Sequence, residues 1–96
     1  ISIESGYSYL ISFKIKTDQD RRIGLGIEDP ANGYADLKAG EVVEWDISSD
    51  WQTVSYIFNS NDTIDTAKIA IFLGQIEGTD PASILEVTDF VAIELD

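Results

Sequence analysis

The chain contains no cysteine, so no disulfide can staple its fold and its redox compartment cannot be read from thiols. It also lacks histidine, which removes the commonest metal ligand and the commonest general base, and with it the usual hydrolytic triad. Basic residues are scarce: 6 Lys and Arg stand against 18 Asp and Glu, a formal net charge of -12. Such a surface repels phosphate backbones, which excludes nucleic acid as an expected partner. It leaves divalent cations, neutral ligands such as sugars, and basic protein surfaces. No apolar run approaches the roughly 18 residues needed to cross a bilayer, so no membrane partner is expected. There is no signal-peptide pattern, and the chain begins at Ile1 rather than Met, the pattern expected of a processed or excised polypeptide.

What remains is a folding composition. The 96 residues are 44% hydrophobic with only 2 Pro, and Ile, Val, Tyr and Phe recur along the whole length, unlike a disordered acidic segment. That length supports one core, so residues 1-96 are read as a single domain.

The dominant period is two. Tyr9, Ile11, Phe13 and Ile15 alternate with Leu10, Ser12, Lys14 and Lys16, and Ile23, Leu25 and Ile27 alternate with Arg22, Gly24, Gly26 and Glu28. The glycines of the second strand permit close approach of backbone or ligand. Asp29 to Gly33 spells a turn, and an irregular stretch follows from Tyr34 through Val42, Val43, Trp45 and Ile47. Trp51 to Phe58 alternates Val54, Tyr56 and Phe58 against Thr53, Ser55 and Ile57, and Ala67 to Leu73 reads as a short strand before Gly74. A helix over Ile64 to Phe72 is disfavoured by its β-branched content. The final strand is expected to carry Leu85, Val87, Asp89, Val91, Ile93 and Leu95 on one face. About six strands separated by turn clusters predict an all-β sandwich or barrel.

Catalysis has little to work with. Glu28 with Asp29, or Glu44 with Asp46, could serve a two-carboxylate glycosidase mechanism, but nothing in their spacing selects either pair. Serine and threonine nucleophiles have no histidine to activate them, so the chain is not read as an enzyme. No EF-hand loop is present. Asp89 shares the parity of the apolar residues around it: either it is buried and bonded or metal-bound, or an edge or bulge turns it to solvent. Among the aromatics, Tyr7, Tyr34 and Trp45 fall in loops or irregular strands, where they could stack on sugar rings or pack partly into the core. Trp51 reads as a plug at the end of the sandwich. Arg22, Gln52 and Gln75 are candidate polar partners on the non-core face, which Lys14 and Lys68 are expected to share.

The order of these features resembles a known family. Tyr9 to Lys16, Arg22 to Ile27, Trp51 to Phe58, Ile69 to Gly74 and Leu85 to Ile93 resemble successive strands of the carbohydrate-binding modules grouped as families 4, 9, 16 and 22. The resemblance implies a β-sandwich jelly roll, galactose-binding-domain-like, that binds β-glucan, xylan or related polysaccharide and tethers an attached glycoside hydrolase to its substrate in a secreted or extracellular setting. It implies a sugar-binding face at Arg22, Tyr34, Gln52, Phe72 and Gln75, and a structural calcium with Asp89 as ligand. Family members begin with strands that precede the point where this sequence enters the pattern, so a missing N-terminal segment or a second chain is expected to complete the sheet, or else the domain is a reduced relative. The alternative is a structural or adhesive β-sandwich of a cell-surface protein, with the same fold and no sugar site.

Overall fold

The computed structural model describes residues 1–72 and 84–95. Its strands are β1 (Ser8–Thr17), β2 (Arg21–Asp29), β3 (Ala35–Asp36), β4 (Glu44–Ile47), β5 (Gln52–Asn59), β6 (Lys68–Phe72) and β7 (Leu85–Leu95). They form two antiparallel sheets, as the period of two requires. In one, β1 lies between β5 and β7. In the other, β6 runs along one edge of β2, while β3 and β4 share the opposite edge, because Gly24 and Glu28 each have one partner on either side. The irregular stretch after Tyr34 is thus two short strands with a loop between them, rather than one.

The core lies between the sheets. Ile11, Phe13 and Ile15 from β1 and Ile23, Leu25 and Ile27 from β2 are all buried, each side chain contributing roughly 1.5–3 kcal/mol on removal from water. Val54 and Phe58 of β5 join them in the expected alternation. Trp45 meets the Phe13 ring edge-on, with centroids 5.9 Å apart, so this aromatic belongs to the core and not to a sugar platform. The segment before β1 is tied in by a backbone bridge between the fully buried Ile3 and Ile64.

The expected single apolar face of β7 is corrected by a bulge. Ser12 pairs with Val91 and Lys14 with Thr88, so Asp89 and Phe90 together stand opposite Phe13. One extra residue reverses the side-chain alternation beyond it. By register Leu85 and Val87 share the side of Ile15 and Thr17, then Phe90 takes over and stacks on Phe13 at 6.0 Å, while Val91 and Ile93 turn to the outer face; all but Leu85 stay exposed along this edge strand. Asp89 sits at the kink with φ 54, in the left-handed region. Between the two readings of Asp89, the structure selects the bulge that turns it to solvent.

Candidate functional site

The outward face of the β2 sheet carries the side chains that alternate with the core. On β2 these are Arg22, Gly24, Gly26 and Glu28; opposite them lie Glu44 and Asp46 on β4 and Lys68, Ala70 and Phe72 on β6. Two glycines in the central strand leave a floor without side chains. The tip of the Phe72 ring reaches over it: a Cβ at Gly26 would come within 2.5 Å of Phe72 Cζ. Phe72 keeps 44% of its surface exposed, so much of the ring stays open to solvent.

Tyr34 reaches the same face from the β2–β3 turn. The Asp29 carboxylate caps that turn by accepting from the Ala31 N–H, Gly33 adopts φ 62, and the Tyr34 N–H donates to the Asp29 carbonyl at 2.9 Å. Tyr34 itself has φ 59, a conformation that costs a bulky residue about 1 kcal/mol or more and throws its ring outward. The ring is 55% exposed and Lys68 Nζ stands 5.6 Å from its centroid. Lys68 and Phe72 are four positions apart on β6, about 13 Å along the strand, so Tyr34 beside Lys68 and the Phe72 ring mark two separate aromatic positions on this face. Arg22 occupies the far end, its Nε 3.2 Å from Asp46 Oδ1 on the paired strand. That partly exposed ion pair adds little stability, about 0–1 kcal/mol, but it fixes the direction of the guanidinium.

Below β3, the Asp36 carboxylate would be raised by burial, yet hydrogen bonds and charge from Lys38 outweigh that and hold it below its ordinary value. Across the end of the sandwich, the Tyr56 hydroxyl donates to Glu41 Oε2 at 2.8 Å. Burial first, then the Glu41 carboxylate, push its pKa up to about 12.

Three of the expected site residues, Arg22, Tyr34 and Phe72, therefore meet on one face. Gln52 does not: it lies on β5 of the other sheet with core-facing parity, donating to the Asp46 carbonyl and accepting from the Ser48 N–H. It is a structural tie between β4 and β5, a correction that the parity it shares with Val54 and Phe58 already pointed to. Lys68 shares the face, whereas Lys14 lies on the outer side of the opposite sheet. Gln75 lies outside the described residues. The expected plug Trp51 is 47% exposed, with Lys16 Nζ 4.9 Å from its ring.

Asp89 does not fit a calcium ligand among the described residues. Its carboxylate is exposed and pairs with Lys14 Nζ at 3.5 Å, and no group of three or more acidic, histidine or cysteine side chains comes together there or elsewhere in them. A hard dication wants six to eight oxygens.

Comparison with known proteins gives this geometry a setting. The family model described as a carbohydrate binding domain, CBM_4_9, matches residues 1–83. A solved structure described as "CBM4 structure and function" superposes with a TM-score of 0.82 at 23% sequence identity, covering 99% of this chain and 57% of that one. At that identity the likeness shows the fold, and the chain spans little more than half the length of that structure. No curated protein matches.

Proposed function

The chain belongs to the carbohydrate binding domain family, and on that premise we propose that its β2-sheet face binds a β-linked polysaccharide such as β-glucan or xylan without catalysis. The observation that carries this reading is the half-exposed Phe72 ring, its tip over the bare backbone at Gly26, on the same face as Tyr34 and Arg22. Sugar rings present apolar C–H faces to such aromatics, while Arg22, Lys68 and the neighbouring carboxylates satisfy the hydroxyls. In this role the domain holds an attached glycoside hydrolase against its substrate outside the cell, raising the effective substrate concentration through linkage alone.

The test is calorimetric titration with soluble xylan, β-glucan and mannan oligosaccharides. Saturable heat that falls at least about tenfold in affinity in Phe72→Ala and in Arg22→Ala supports the reading; each substitution removes a stacking or charged hydrogen-bonding group. A folded protein that binds none of these sugars overturns it in favour of a structural or adhesive sandwich. Repeating the titration in chelator tests the calcium expectation separately, and binding through the residues described here persists without the ion.

A further inference from the structure

The outer face of the opposite sheet is divided along its length. Towards one end, Leu10 lies between Ile57 and Ile93. Towards the other, Lys14 lies between Thr53 and Thr88, and next to them stand Trp51 and Asp89. Here the surface dips into an open pocket of about 540 Å³ lined by Lys14, Trp51, Gln52, Thr53, Thr88 and Asp89. That size lies within the range of small-ligand sites.

Two features of this end bear on what it could bind. The bulge places Asp89 at φ 54, a strained conformation for a residue with a side chain, and the result is to aim its carboxylate into the pocket. Bulges and positive-φ residues concentrate next to functional sites, where they re-aim a side chain. The second is charge. Within a protein of net charge -12, Lys14 pairs with Asp89 and Lys16 with Glu86, so this patch is locally neutral. An exposed indole, two hydroxyls and a balanced ion pair suit a ligand that is uncharged, rich in hydroxyls and flat on one side.

We propose that this pocket is a second saccharide-binding site, on the sheet opposite the first, in which Trp51 supplies the stacking surface and Thr53, Thr88, Lys14 and Asp89 the hydrogen bonds. Two sites on opposite faces let one domain bridge neighbouring polysaccharide chains. The site does not depend on the β2-sheet face, and its test reads a different probe. The protein has 2 Trp, and only Trp51 lines the pocket, Trp45 being packed on Phe13.

The experiment follows the two indole N–H resonances by NMR while cellotetraose, xylotetraose and mannotetraose are added, in the wild type and in a variant carrying both Arg22→Ala and Phe72→Ala. With at least one sugar the Trp51 resonance is expected to shift saturably, and to keep doing so in the double variant. Trp51→Ala, read by calorimetry in the background of the double variant, should lower the remaining sugar affinity at least tenfold. Should Trp51→Ala fail to fold, Thr88→Val and Thr53→Ala, both on the solvent face, are expected to weaken the Trp51 shift at least threefold. No Trp51 shift with any of the three sugars overturns the proposal. So does a shift that vanishes in the double variant, which would make it an echo of the β2-sheet face.

Discussion

Phe72 and Gly26 lie so close that no Cβ fits between them: the tip of the phenyl ring lies over the adjacent strand, 2.5 Å from where a Cβ would be. This contact links β6 to β2 in the proposed binding face. Gly26→Ala therefore pushes the ring away. Because the atom displaced is the far end of a half-exposed side chain, the stability cost should stay near 1 kcal/mol, while sugar affinity falls about tenfold. Urea denaturation and calorimetry on the same sample separate the two, and an unchanged affinity would remove Phe72 from the site.

Phe13 holds the sandwich together at the bulge, meeting Trp45 edge-on and Phe90 face-on. Phe13→Ala should cost about 3–5 kcal/mol, a large share of what a domain of this size has. Chemical denaturation followed by tryptophan fluorescence reports it directly, since Trp45 loses its neighbour.

Asp89 is tolerated at φ 54 because a short polar side chain visits the left-handed region more readily than a branched one. Asp89→Gly should leave stability within about 1 kcal/mol of the wild type, since glycine adopts this conformation freely. Asp89→Val should cost about 2 kcal/mol, because a β-branched residue does not. Equal stabilities of the two variants would show that the bulge is not strained at this position.

Tyr56 offers a test of the contact between β5 and the loop before β4. Its folded pKa is raised to about 12, so the protonated hydroxyl is the form the fold favours. The stability it contributes is fully present below its model value of 10.0 and is lost as pH rises from there through about 12. Ultraviolet titration should find a tyrosine ionising near 12 that is missing in Tyr56→Phe and lowered in Glu41→Gln.

The strands β1, β2 and β5 were legible because each alternates over eight or more residues with no bulge, so local period and burial agree. β7 was legible as a strand but not in its facing. The extra residue at Asp89 is invisible to a count of alternate positions, and only pairing with Ser12 and Lys14 shows where the parity reverses. The proposed binding face was legible in part for a related reason. Arg22, Gly24 and Gly26 lie on one strand and announce a non-core face together, and Phe72 joins them by pairing in register. Gln52 carried the opposite signal, the core-side parity of Val54 and Phe58, and its strand belongs to the other sheet.

By itself, then, the sequence determined what is local or additive: a histidine-free and cysteine-free acidic chain, its β period, its turns, and the side chains able to meet a sugar. The tertiary structure decided which of them meet. Sheet membership and register are set by long-range pairing between segments distant in sequence. That pairing placed Phe72 on Gly26, separated Gln52 from Arg22, and turned Asp89 out beside Trp51.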